Sequence, residues 1–195
     1  STLFNIQEKY DTLKEIGSYS FDESSGIIIL DKSIYKNNGI IVNNPIRKLG
    51  TYDVNSIGLV FDASQNQYVH IPGSLYDNIN FDMLTFATWV NVSNDGTTKT
   101  ILKKENSFEW IIKGDGKLQI IKYDTTTPIV NESTQVLVTN TQWTHLTVTI
   151  DNFNELIVFY QNGVQKESLS VVVEFPKTTS DLYIGSNFTG EIDNV

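Results

Sequence analysis

The chain has 195 residues, 39% of them hydrophobic and 11% aromatic, and contains no cysteine. That size and composition suit one folded domain able to bury its own core, and they exclude disulfides, thiolate metal sites and a cysteine nucleophile. A net charge of −9 with no cluster of Lys or Arg argues against nucleic acid and against an anionic membrane surface, and no apolar run is long enough for membrane insertion.

Residues 3–16, LFNIQEKYDTLKEI, place Leu3, Ile6, Tyr10, Leu13 and Ile16 at helical spacing. A short amphipathic helix ending at Gly17 is expected, so residues 1–17 read as an N-terminal linker or capping helix and residues 18–195 as the domain proper.

After Gly17 the period changes to two. The segments SYSFD, GIIILD, SIGLVFD, YVHIP, LTFATWVNV, KTILKK, FEWIIKG, KLQIIKY, TQVLVT, HLTVTID, LIVFYQNG and DLYIG are short and β-branched or aromatic, with Gly, Asn, Asp or Pro at their ends. Turn dipeptides separate them, at Pro72-Gly73, Asp95-Gly96, Asp115-Gly116 and Asn162-Gly163. Many strands without helices between them predict an all-β fold, an antiparallel sandwich or barrel.

Alternation assigns faces. In LTFATWVNV, Leu84, Phe86, Thr88, Val90 and Val92 share one side, and Thr85, Ala87, Trp89 and Asn91 the other. In WTHLTVTID, Leu146, Val148 and Ile150 point inward, which sends Trp143, His145, Thr147 and Thr149 outward. Such an outward face serves as a ligand platform or lies beneath a loop.

The order of four segments carries a family resemblance. FDESSGIIILDKSIYKNNGII presents an aromatic-Asp-Glu strand, a glycine, then Asp-x-Ser and an Asn-x-Gly turn. GLVFDASQNQYVHIP supplies a strand pair and LTFATWVNV a tryptophan-bearing strand. WTHLTVTIDNFNELIVFYQNGV, followed by YIGSNFTGEIDNV, closes with a Trp-x-His strand, an Asn-Gly hairpin and a Gly-x-Ile-Asp ending. Over residues 18–195 the chain resembles the laminin-G-like jelly-roll modules of the concanavalin A-like lectin/glucanase superfamily. The resemblance implies an antiparallel β-sandwich of the concanavalin A-like jelly-roll type. It also implies that the chain is part of a longer protein, because family members continue past the Ile-Asp segment with another strand. Residues 94–142 match only as a strand pattern.

Glucanases of this superfamily use a Glu-x-Asp-x-x-Glu strand that sets three carboxylates on one face. No such strand occurs. Glu105 and Glu109 share parity but lack an aspartate between them, and read as solvated strand-edge charges. His70 and His145 have no triad motif around them, so catalytic residues are not assigned and the chain is read as a non-enzyme.

The Asp22-Glu23-Ser24-Ser25-Gly26 stretch is not an EF-hand, since its alternating ligands and terminal glutamate are missing. A jelly roll brings its first and last strands together, however, and the resemblance implies a structural Ca2+ there. Asp22, Asn37 and Asp193 are the candidate ligands; the alternative is that the aspartates cap turns. Among aromatic residues, Trp89 and Trp143 match the packing tryptophans of the family. Trp110, with Tyr123 and Tyr35, is the candidate contact surface, because sugar rings stack on aromatic faces.

These features favour a non-catalytic, lectin-like recognition module for a glycan, carried with further domains by a larger extracellular or surface protein. One alternative is a protein–protein adhesion module of a toxin, virion or surface assembly; receptor-binding parts of clostridial neurotoxins use a similar jelly roll. An atypical glycoside hydrolase is a third.

Overall fold

A computed structural model describes residues 15–73, 83–123 and 127–195. Fifteen strands run through them: β1 (Ile28–Ile29), β2 (Gly39–Val42), β3 (Ile46–Leu49), β4 (Ile57–Phe61), β5 (Tyr68–Ile71), β6 (Met83–Asn91), β7 (Lys99–Lys104), β8 (Phe108–Ile112), β9 (Leu118–Lys122), β10 (Ile129–Glu132), β11 (Thr144–Asp151), β12 (Leu156–Gln161), β13 (Val164–Ser170), β14 (Leu182–Ile184) and β15 (Gly190–Asp193). One 3-10 turn at Ala63–Gln65 is the sole helical element among the described residues. The amphipathic helix expected before Gly17 falls almost wholly on residues 1–14, outside them.

The strands form two antiparallel sheets. One has eight strands in the order β1-β2-β5-β14-β7-β8-β9-β10; the other has seven, β13-β12-β11-β6-β15-β4-β3. The last two strands enter the middles of the sheets, β14 between β5 and β7, and β15 between β4 and β6. Residues 19 and 195 then meet: Tyr19 N–H donates to the Val195 carbonyl at 2.7 Å, and Val195 N–H returns the bond to Tyr19 at 2.9 Å. Non-local pairing of this kind is the jelly-roll way of leaving few free edges.

The core lies between the sheets, as the alternation predicts. On β6, Leu84, Phe86, Thr88 and Val90 are buried, and on β11 Leu146, Val148 and Ile150. Each such aliphatic or aromatic side chain contributes about 1.5–3 kcal/mol by leaving water. The stretch TQVLVT, expected as a strand, is instead a loop in which only Leu137 and Val138 are buried. Its Leu137 and Val138 N–H groups both donate to the Gly116 carbonyl, and both side chains enter the core. The strand preceding it, β10, was not legible because its apolar pair Ile129–Val130 is exposed.

Asp31 organises the first loop. Buried at 2% exposure, its carboxylate accepts from Ser18 N–H, Ser33 N–H, Ser33 hydroxyl and Asn37 N–H at 2.7–2.9 Å. That is a turn-capping role, typical of Asp beside Ser and Asn. Asn162 and Gly163, both with positive φ, turn the β12–β13 hairpin (52° and 75°).

Candidate functional site

The outward face of the eight-stranded sheet carries one uninterrupted row of side chains. Following strand register from edge to edge, Ile28 pairs with Ile40, Ile40 with His70, His70 with Tyr183, and Tyr183 with Lys103. Lys103 then pairs with Glu109, Glu109 with Ile121, and Ile121 with Val130. The row is apolar at both ends and aromatic and polar in the middle. Tyr68, two positions before His70, stands beside Tyr183 with its ring edge-on (centroids 5.5 Å apart). The His70 and Tyr183 rings lie 5.6 Å apart.

Two shallow depressions flank Lys103 and Glu105. One, of about 220 Å³, is lined by Asn66, Tyr68, Tyr183 and Ser186 together with that pair. The other, of about 270 Å³, adds Asn106 and Tyr123. Gly185 ends β14 at the first depression. With φ of +74° and the Phe61 ring 2.9 Å from where a Cβ would sit, it lets the chain turn against the core.

Hydrogen bonds set the polar groups. His70 Nε2 meets Asp181 Oδ2 at 2.7 Å, and Asp181 Oδ1 accepts from Gly73 N–H at 2.8 Å. Those two bonds hold the Asp181 carboxyl below its usual range. Glu109 has both oxygens engaged, one by the Thr100 hydroxyl at 2.6 Å and the other by the Tyr123 hydroxyl in a short bond. Burial, then the bond to Glu109 and its charge, push the Tyr123 phenol above its usual range. Burial does the same for Tyr183, helped by the charges of Glu105 and Asp181. Both phenols are therefore hydroxyl donors at neutral pH. The face offers tyrosine rings, a lysine donor, a carboxylate acceptor and amides over a shallow surface.

Of the aromatic contact residues expected from sequence, Tyr123 lies in the second depression. Tyr35 is exposed, in the loop between β1 and β2, and lines neither depression. Trp110 is corrected: it is fully buried, stacked on Phe86 with centroids 5.9 Å apart. Strand parity on β8 explains this, since Glu109 faces out and Trp110, with Phe108, faces in. Trp89, matched to a packing tryptophan of the family but set opposite Leu84 and Phe86 by the alternation, stands half-buried on the outer face of the seven-stranded sheet, and Trp143 is half-buried as well. The Tyr52 ring lies flat on Trp89 (4.6 Å, interplanar angle 2°) and His145 meets it edge-on at 5.1 Å. The loop at residues 50–56 thus covers that platform.

The same loop buries Asp193. Asp193 pairs with Trp89 across β15 and β6, and Gly58 of β4 leaves room over it: a Cβ there would sit 2.8 Å from Thr51 Cγ2 and 3.2 Å from Asp193 Cβ. Asp193 Oδ2 accepts a short bond from Thr51, while Oδ1, fully buried, has no partner. Burial first, then the charge of Asp22, push the Asp193 carboxyl above its usual range. The fold therefore brings Asp22 and Asp193 into electrostatic contact. Asn37 is tied elsewhere, its N–H to Asp31 and its carbonyl to the Tyr19 hydroxyl at 2.7 Å, with both side-chain amide atoms buried and unpartnered. Among the described residues, no three His, Asp or Glu side chains converge as a metal cluster.

A laminin-G family model, described as the concanavalin A-like lectin/glucanases superfamily, matches residues 62–195. The chain belongs to that superfamily. No curated protein matches this superfamily member at the level of sequence. Among solved structures it is similar to domain 4 of AbnA, a GH43 extracellular arabinanase from Geobacillus stearothermophilus, in complex with arabinotriose. That likeness has 20% identity and a TM-score of 0.66, over 93% of this chain and 90% of the other. It is also similar to the receptor-binding domain of botulinum neurotoxin type G (17% identity, TM-score 0.66, 93% of this chain and 47% of the other). The binding domain of botulinum neurotoxin DC in complex with SialylT is similar too (14%, TM-score 0.66, 93% and 46%). The chain spans about half the length of these neurotoxin domains. At such identities the likeness establishes the lectin-type jelly roll.

Sequence reasoning missed Tyr68, Lys103 and Tyr183. Each is a half-buried residue alternating with buried neighbours, which marks it as outward-facing. What unites them is the placement of β14, from the far end of the chain, between β5 and β7.

Proposed function

We propose that this domain is a non-catalytic carbohydrate-recognition module of a larger extracellular or surface protein, and that it binds its glycan on the outward face of the eight-stranded sheet. The observation that carries the reading is the clustering of Tyr68, Tyr183 and Tyr123 around the Lys103–Glu105 pair. Tyrosine rings offer apolar faces to sugar C–H groups, and the lysine, carboxylate and Asn66 and Asn106 amides match hydroxyls. The arabinotriose in domain 4 of the arabinanase, a neighbour of nearly matching length, supports a sugar ligand. A binding rather than hydrolytic role is supported by Glu109, whose two oxygens are occupied by protein hydroxyls. A Ca2+ bracing the closure of the domain belongs to the same proposal. Its support is the unpartnered, buried Asp193 Oδ1 beside the charge of Asp22, while Asn37, held by Asp31 and Tyr19, lends it none.

A second reading, protein–protein adhesion, is favoured by a different observation. Ile27, Ile28, Leu30, Ile34 and Tyr35 form an exposed apolar strip at the β1 edge of the sheet. A glycan array with the wild-type domain and Tyr183→Ala separates the two. Reproducible hits lost in the variant support glycan binding. A blank array contradicts it and favours adhesion.

A further inference from the structure

Resting on the sugar-binding reading above, we propose that the ligand is a neutral, linear oligosaccharide of at least three rings, laid across the strands and gripped along its interior. Tyr183 stands on β14 and Tyr123 directly follows β9, with β7 and β8 between them. Neighbouring strands lie about 4.8 Å apart, so the backbones at these tyrosines are separated by about 14 Å across the sheet. The Tyr123 hydroxyl leans back only as far as Glu109 on β8, two strands from Tyr183. That is more than one sugar ring spans, so a ligand that touches both walls is an oligomer. The two depressions share Lys103 and Glu105 as a common ridge, which places a donor and an acceptor where consecutive rings would join.

The direction of the ligand follows from the row of side chains. The polar centre, His70 to Glu109, runs perpendicular to the strands and continues outward on both sides. On one side it leads over Ile40 and Ile28, on the other over Ile121 to Val130. Ile28, Ile40 and Val130 are exposed at 44%, 37% and 49%. The row itself ends on Ile28 and Val130, apolar side chains that offer no hydrogen bond to a chain terminus. An interior stretch of a longer glycan is therefore accommodated as well as a free oligosaccharide.

Neutrality follows from charge. Lys103 forms no ion pair among the described residues, because its cross-strand neighbour Glu109 is turned to the Thr100 and Tyr123 hydroxyls. A carboxylated sugar reaching for Lys103 would nevertheless meet Glu105 beside it and Glu109 behind it. An amino sugar cation would meet Lys103. Hydroxyls suit both members of the ridge.

The test is isothermal titration of the domain with linear arabinan, xylan, glucan and galactan oligosaccharides of one to six units, plus sialyllactose and galacturonic oligomers. For the sugar that binds, affinity is expected to rise by about tenfold or more from one unit to three, a gain of about 1.4 kcal/mol or more. Reduction of the reducing end should leave binding unchanged within about twofold. Tyr123→Ala should lower the trisaccharide to the affinity of the disaccharide, while Tyr123→Phe, which keeps the ring, should retain the length dependence. Thermal melts of both variants confirm folding. A monosaccharide bound as tightly as the trisaccharide, or a preference for the acidic sugars, overturns this inference and leaves sugar binding standing. Binding of none of these sugars by a domain blank on the glycan array removes both.

Discussion

Replacing Trp110 with alanine tests the division between core and surface on β8. The indole is fully buried and begins a chain of rings: it stacks on Phe86 at 5.9 Å, Phe86 on Phe108 at 4.9 Å, and Phe108 meets Phe175 at 5.0 Å. Removing such a side chain costs about 3–5 kcal/mol in lost transfer energy and residual cavity. A domain of this size holds about 5–15 kcal/mol in total, so the loss is a large part of it. At about 2–4 °C per kcal/mol, Tm should fall by roughly 6–20 °C. Trp110→Phe behaves differently, because the indole N–H has no partner in the core. The smaller ring gives up contacts but also removes a buried unsatisfied donor costing about 1–3 kcal/mol, so the two effects offset to within about 1 kcal/mol. Guanidinium denaturation followed by far-UV circular dichroism measures both. A Trp110→Ala midpoint equal to wild type, or a loss of glycan binding in a still-folded Trp110→Phe protein, would refute the core placement.

Three further outcomes follow from the closing region. The Asp193 carboxyl is raised by burial and by Asp22, so its contribution to stability is complete below the unfolded value, about 3.9, and is lost as pH rises through the raised folded value. In chelator, Asp193→Asn should therefore melt above wild type at pH 7, with the gap closing towards pH 3; equal melting at pH 7 would count against a charged, buried carboxylate. With Ca2+ at about 100 times its dissociation constant, wild type should gain about 2.7 kcal/mol and the variant nothing. A wild-type melt identical in Ca2+ and EDTA would remove the ion from the account. Tyr52→Ala should uncover Trp89, shift tryptophan emission to the red and cost about 0.5–1.5 kcal/mol beyond the area lost; unchanged emission would mean that the stack at 4.6 Å does not hold in solution.

The fold was legible because its strands alternate cleanly. Leu84 to Val90 and Leu146 to Ile150 declare their inner faces. The Trp89–His145 platform was legible for the same reason, but the Tyr52 loop that lies on it was not, because loop placement depends on Gly58 and on hydrogen bonds made only after folding. The candidate site was legible in one residue, Tyr123. Trp110 drew attention as a tryptophan with no assigned packing role, although its own strand parity, opposite to Glu109, places it inside. Tyr68, Lys103 and Tyr183 come from three separate stretches, and only the pairing of β14 with both β5 and β7 makes them neighbours. The same limit applies to Asp31. It has the Asp-x-Ser pattern of a turn cap, yet one of its four donors, Ser18 N–H, lies 13 residues away.

The most direct test of the account is a heteronuclear NMR titration of the domain with a glycan drawn from the array hits. The outward face of the eight-stranded sheet is predicted to respond, with the largest shifts at Tyr68, Lys103, Glu105, Tyr123 and Tyr183. Shifts confined to the Trp89–His145 face or to the Ile27–Tyr35 strip would contradict it.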